Sequence, residues 1–229
     1  LIDPISRRVS SHIFEGLLKY NENTTELEPC IANYFQFDST KNKYTFYLKH
    51  NIYFHDNSCF PQKKGRELVA EDIAFCFRLL QKKHKLNRGY EMFKNVFQQS
   101  DSLLGIKVIN KYAIEFSLKE RNHHFLDLLT SSFAYIFPRE AYELYRNTIR
   151  LHPVGTGPFC LKETSDLNEN LSVFLSRHNQ YHENDEFNNP LPYLDGIEIS
   201  FLKEKDLIVK KFLNHELDYI HRIPKKEIS

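Results

Sequence analysis

Hydrophobic periods that switch repeatedly along the chain predict an α/β fold of the mixed α+β kind, with strands in a mixed sheet and helices laid against it. Residues 43–54, KYTFYLKHNIYF, set Tyr44, Phe46 and Leu48 on one side and Thr45, Tyr47 and Lys49 on the other, as a half-buried strand does. Residues 68–83, LVAEDIAFCFRLLQKK, then change to helical spacing, with Ile73, Phe77 and Leu80 in one stripe and Cys76 beside it. No internal repeat or low-complexity stretch interrupts the alternation.

The remaining elements follow in order. Glu71 and Asp72 fall in the first turn of the predicted helix, where the helix dipole favours negative charge. Residues 105–120 read as a hairpin, with Ile106 and Val108 on one arm and Ile114, Phe116 and Leu118 on the other, around an Asn110–Lys111 turn. Residues 123–133 and 138–146 have helical spacing, the second with Pro138 at its first position. FCLKE (159–163) and LSVFLSRH (171–178) are strands separated by the turn-like TSDLNEN (164–170). A loop rich in Asn, Asp and Pro (179–196) leads to a strand at 197–202, a helix at 206–214 and a short strand at 217–220.

The 31 basic and 30 acidic side chains nearly cancel, which argues against a face built to bind duplex nucleic acid. No run of 18 apolar residues exists to span a membrane. The sequence opens on Leu1, as a processed or trimmed chain does, with any targeting signal out of view. Cysteines at 30, 59, 76 and 160 allow three disulfide connectivities, while Cys76 on its apolar stripe reads as a buried free thiol.

Chemistry-bearing motifs are scarce. In HPVGTGPFCLKE (152–163) two glycines flank Thr156, yet a strand rather than a helix follows. Pro158 also removes an amide donor that a phosphate would need. No serine sits between the glycines, so the turn is no nucleophile elbow. His50, His55, Asp56 and Cys59 have zinc-binding chemistry, but the spacing H-x4-H-x3-C matches no closed structural site. Glu71–Asp72 and Asp185–Glu186 read as solvated acid pairs. The sequence therefore predicts neither an enzyme nor a metal or other cofactor.

Taken in order, five blocks resemble one family. They are Phe14-Glu15-Gly16-Leu17; Tyr44-Thr45-Phe46-Tyr47-Leu48 running on to Phe54-His55-Asp56; Ala70-Glu71-Asp72-Ile73; Gly155-Thr156-Gly157-Pro158-Phe159; and Tyr193-Leu194-Asp195 with His215-Glu216-Leu217-Asp218. The chain resembles the peptide-binding class, family 5, of the extracellular solute-binding proteins that serve ABC importers of dipeptides, oligopeptides and nickel. The resemblance implies a periplasmic-binding-protein-like class II fold. Residues 1–18 and 151–229 would form part of a first lobe and 19–150 a sub-domain inserted into it. The second lobe would lie outside this chain, which corresponds to an N-terminal half.

The chain departs from the family pattern at Asn57, where Gly is usual, and in the extended loop SCFPQKKGREL. Asn57 is expected to take the left-handed conformation that Gly would adopt. The segment before Phe14 is short, leaving a ligand-facing loop near Arg7 to His12, and Tyr34 stands where Trp is common. The resemblance implies that the Gly155–Phe159 turn returns the chain to the first lobe and that Ser11, His12, Tyr90 and Thr156 face the ligand. It implies a monomeric, non-catalytic carrier of peptides that meets an ABC permease in the cytoplasmic membrane, with no direct nucleic-acid contact. Its place would be periplasmic, or that of a membrane-anchored extracytoplasmic lipoprotein. The alternatives are a carrier of nickel complexes or oligosaccharides, the cytoplasmic sensing domain of a transcription regulator, and a metallohydrolase using the His50–Cys59 cluster.

Overall fold

A computed structural model describes residues 4–21, 23–84, 87–100, 103–162, 172–202 and 204–220. Helix α1 (Pro4–Ile13) opens the chain, followed by the paired strands β1 (Leu18–Tyr20) and β2 (Leu27–Pro29). Strands β3 (Ala32–Asp38) and β4 (Lys43–Leu48) form a hairpin; α2 (Ala70–Leu80) and the single turn α3 (Tyr90–Phe93) come next. The short pair β5 (Gln99–Ser100) and β6 (Leu103–Leu104) precedes a hairpin of β7 (Ile106–Asn110) and β8 (Ala113–Ser117). Then come α4 (Phe125–Thr130), α5 (Arg139–Tyr145), β9 (Phe159–Leu161), β10 (Ser172–Arg177), β11 (Gly196–Ser200) and α6 (Lys205–Leu213).

The larger sheet has the order β3-β4-β8-β7, and a second has the order β11-β10-β9. Every strand pair among the described residues is antiparallel, so the expected mixed sheet is corrected to antiparallel ones. Alternation reports which face of a strand is buried; it carries no information on the direction of the neighbour.

Two apolar clusters result. The larger packs Phe46, Ile114 and Phe116 from the four-stranded sheet against Ile73 and Phe77 of α2, with Phe93, Phe97 and Phe125 closing it. Phe116 alone meets Phe46, Phe77, Phe97 and Phe125 ring to ring at 5.0–5.9 Å. The smaller cluster seats Ile13 of α1 on Phe159 and Leu175 of the three-stranded sheet, with Val9, Leu161 and Ile197 around them. α2 starts where the sequence places it because the Asp72 carboxylate accepts the Val69 N–H at 3.0 Å, satisfying an amide the helix leaves orphaned. The Arg66 guanidinium braces this cap. It donates to Asp72 at 2.6 and 2.8 Å and to Glu140 at 2.6 and 2.8 Å, tying the long 57–67 loop to α2 and α5.

Several local expectations are corrected. Arg7 to His12 form the last turns of α1, not a loop. The β7–β8 turn centres on Lys111–Tyr112, since Asn110 pairs with Ala113 across a bulge. Pro138 lies just outside α5 with extended backbone, as its N-cap. The strand beginning at Lys43 ends at Leu48, and residues 217–220 form no strand. Asn57 does not adopt a positive φ; its side chain accepts the Cys59 N–H and the Tyr145 hydroxyl instead, and within the 57–67 loop it is Gln62 and Lys63 that take positive φ. The turn-like 164–170 lies outside the described residues. All four cysteines are free thiols. None of the helices among the described residues is long and apolar enough to cross a membrane.

Candidate ligand-binding junction

Residues 13–17 run between the two clusters, and distant segments bond to their backbone. The Gly157 N–H donates to the Ile13 carbonyl at 3.0 Å, Ile136 N–H to Glu15 at 2.9 Å, Ile31 N–H to Gly16 at 3.2 Å and Cys30 N–H to Leu17 at 3.0 Å. Neither Gly155 nor Gly157 has a positive φ. What the turn requires is room: a β-carbon on Gly155 would stand 2.0 Å from the Ile13 carbonyl oxygen, and one on Gly157 2.8 Å from that of His12. Gly155→Ala should therefore displace α1 from the turn and cost about 1–3 kcal/mol. Urea unfolding measures that loss, and an unchanged midpoint would show that the turn yields freely.

Two imidazoles grip the same turn. His55 Nε2 lies 2.9 Å and His178 Nδ1 3.2 Å from the Gly157 carbonyl oxygen, with the rings edge-to-face at 4.7 Å. The Gly155 N–H points at His55 Nδ1 at 3.4 Å, so His55 fits as the neutral tautomer with its proton on Nε2. Burial, then the charge of His178, pushes the His55 imidazole down to about 4. Burial also pushes His178 down.

The Glu15 carboxylate, 6% exposed, sits at the centre. It accepts the Thr156 hydroxyl at 2.7 Å, the Tyr181 hydroxyl at 3.1 Å and the Cys30 thiol at 3.4 Å, and faces His182 Nε2 at 3.1 Å from both oxygens. Burial pushes this carboxyl up, but the hydrogen bond and charge of His182, with Thr156 and Cys30, outweigh it and hold the group below its ordinary value. Glu183 continues the network. Both its oxygens lie 2.8 Å from the Lys19 ammonium, and Lys49 stands 3.7 Å away. Glu15, His182 and Glu183 bring donor atoms of metal-binding type within 4.8 Å of one another. Of the three, Glu183 is bound to the Lys19 ammonium.

The residues expected to face ligand separate into three groups. Ser11 and His12 lie in the last turn of α1 beside the glycine turn: Ser11 is exposed and donates to the Arg8 carbonyl, and the His12 ring meets Phe159 edge-on at 6.1 Å. Thr156 is fully buried, with its hydroxyl donated to Glu15. Tyr90 opens α3, whose Phe93 belongs to the larger cluster. The zinc-type set is likewise taken apart: His50 stacks on Tyr112, His55 holds the glycine turn, Asp56 holds Lys64 and the Gly65 N–H, and the Cys59 N–H caps Asn57. Burial pushes every thiol up, Cys59 and Cys160 to about 11, the reverse of what a thiolate nucleophile needs.

Sequence reading missed Glu15, Tyr181, His182 and Glu183 as one network. One signal was available: a single carboxylate inside the apolar run HIFEGLL must find partners if that run is buried.

The model of the family "Bacterial extracellular solute-binding proteins, family 5 Middle" matches residues 26–229. Among similar curated proteins is the dipeptide-binding protein of Escherichia coli, 29% identical over 161 residues; the match takes in 66% of this chain and 30% of the relative. An oligopeptide-binding protein of Borrelia burgdorferi superposes with TM-score 0.78 at 26% identity, over 95% of this chain and 43% of the other. The Helicobacter pylori periplasmic binding protein DppA, solved with the peptide STSA, gives TM-score 0.78 at 21% identity, over 95% and 42%. The chain thus spans less than half the length of these relatives.

Proposed function

Because the chain belongs to family 5 of the bacterial extracellular solute-binding proteins, we propose that it is part of the substrate-binding component of an ABC importer and that the imported solute is a dipeptide or oligopeptide. The match across residues 26–229 carries this reading, and the peptide-binding names of similar proteins support it. In the proposed arrangement, residues 1–18 and 151–229 contribute to a first lobe and 19–150 form an inserted sub-domain. The two apolar clusters support a division close to this one, parting between Ile13 and Leu17 and again between Val154 and Phe159, so that Leu17, Leu18 and Val154 side with the sub-domain.

The junction does mechanical work in this reading. A carrier of this kind closes two lobes on its solute and opens again, which requires a stiff first lobe against which to move. Glu15, Thr156, Tyr181 and His182, with the His55–His178 clamp on Gly157, supply that stiffness. In this reading Ser11 and His12, at the end of α1, meet solute directly, and Thr156 acts through Glu15. The protein works outside the cytoplasm, as a monomer, with a membrane permease as its partner.

Native mass spectrometry of the full-length gene product, purified without denaturation, tests this. The expected spectrum shows added masses that fit short peptides. A bare protein that gains mass only when a nickel–histidine complex is supplied would replace peptide with metal complex as the solute. A protein that gains neither would overturn the carrier reading.

A further inference from the structure

The outward face of the four-stranded sheet holds a depression of about 580 Å³, lined among others by Asn33, Tyr34, Tyr47, His50, Asn110 and Tyr112. It lies on one register row across all four strands: Tyr34 pairs with Tyr47, Tyr47 with Ala113, and Ala113 with Asn110. Both edge strands bulge at this row. The extra residue is Asn33 on β3, between Ala32 and Tyr34, and Ile109 on β7, between Val108 and Asn110. A bulge re-aims side chains at a sheet edge. Here two bulges at the same end of two different edges bring an amide side chain to each rim of one hollow, and the smallest residue of the row, Ala113, stands between them.

Aromatic rings fill the rest of the wall in stacked pairs. Tyr34 and Tyr47 stack at 4.5 Å and 17°, and His50 stacks on Tyr112 at 3.9 Å and 17°. Tyr34 remains 46% exposed. The Tyr47 and Tyr112 hydroxyls are anchored outside the hollow, on Gln36 at 3.4 Å and Glu67 at 2.9 Å, which fixes the rings in place. Among the described residues no carboxylate lines the hollow, and the Lys49 ammonium there faces Glu183 at 3.7 Å.

Fixed ring faces suit a ligand with flat C–H surfaces. Neutral amides suit vicinal hydroxyls: Asn33 offers a carbonyl acceptor and two N–H donors, and Asn110, whose Oδ1 already accepts the Tyr112 N–H at 2.9 Å, offers its two N–H donors. A peptide terminus or phosphate would instead call for an uncompensated charge. We propose that this hollow is a second binding site, separate from the junction, for the pyranose ring of a neutral saccharide, with Tyr34 as the stacking platform and Asn33 and Asn110 as hydroxyl partners. The inference does not depend on what the junction carries.

Saturation-transfer NMR on the full-length protein, with cellobiose as the probe and tri-alanine as competitor, tests it. Transfer to the sugar ring protons is expected, with a dissociation constant of about 1 mM. Tyr34→Ala should weaken it about tenfold, Tyr34→Phe should preserve it, and Asn33→Ala should weaken it with the fold unchanged by circular dichroism. Tri-alanine should leave it intact. Absence of transfer at 10 mM cellobiose (about ten times that constant), transfer indifferent to Tyr34→Ala, or displacement by tri-alanine would each overturn the proposal. Failure of peptide binding in the mass spectra would leave it standing.

Discussion

Replacing Glu15 with Ala is expected to lower the stability of the protein by about 3–5 kcal/mol, because removing one member of a buried charged network strands the others. Four partners lose their acceptor at once: Thr156, Tyr181, His182 and the Cys30 thiol. They come from three separate stretches of chain, so the loss should appear as a lower midpoint of a single unfolding transition, not as one frayed segment. Thr156→Val removes one donor without emptying the space and should cost about 1 kcal/mol. Chemical denaturation of the three proteins side by side measures both effects. A Glu15→Ala loss below that of Thr156→Val would mean that the carboxylate is already solvated and that the network is not a unit.

Acid should weaken the same region before any carboxylate titrates. An unfolded chain takes up a proton at His55 near pH 6.5, whereas the folded protein, with that imidazole pushed down to about 4, refuses it. The folded state is therefore fully favoured above pH 6.5 and loses stability as the pH falls toward 4, by about 3 kcal/mol from this group. His178, shifted in the same direction, adds to the slope. Glu15 acts in the same sense at lower pH, since a carboxyl held below its ordinary value gives its full stabilisation above that value and loses it as the pH falls through the folded one. Unfolding free energies between pH 7 and 4.5 should decline steadily in the wild-type protein. His55→Gln keeps a donor for the Gly157 carbonyl but has nothing to protonate, so its curve should be flatter. Parallel curves for the two proteins would show that His55 is protonated in the fold.

Much of this molecule was legible from periodicity alone, and the limits of that legibility have physical causes. The β4 strand, the α2 helix with its acidic first turn, the β7–β8 hairpin and the helix ending at Leu213 all follow from one-dimensional spacing. Each buries a face against a neighbour, and burial is what spacing records. The antiparallel sense of the sheets did not follow, because a strand carries the same alternation whichever way its neighbour runs. Neither did the left-handed positions, which moved from Asn57 to Gln62 and Lys63 once Asn57 was engaged by Tyr145. The ordered motif blocks gave the family. They also contained two parts of the junction, Phe14-Glu15-Gly16 and Gly155-Thr156-Gly157, but sequence does not state that blocks 141 residues apart bond to each other. The third part, Tyr181-His182-Glu183, lay in a segment read as a polar loop, because its residues are loop-like in composition and become core only where they meet Glu15.

That geometry also orders events in time. Glu15 meets Cys30 across 15 residues of chain, but Thr156, Tyr181 and His182 across 141, 166 and 167. Closing the longest of these loops costs about 2 kcal/mol more chain entropy than closing the shortest. The larger apolar cluster, drawn from residues 17 to 154, can assemble without that closure, whereas the junction cannot form until the 178–183 segment arrives from far along the chain. Tyr181 and His182 are therefore expected to reach Glu15 after the larger cluster has assembled, which would show as a later gain of protection at residues 178–183 on refolding.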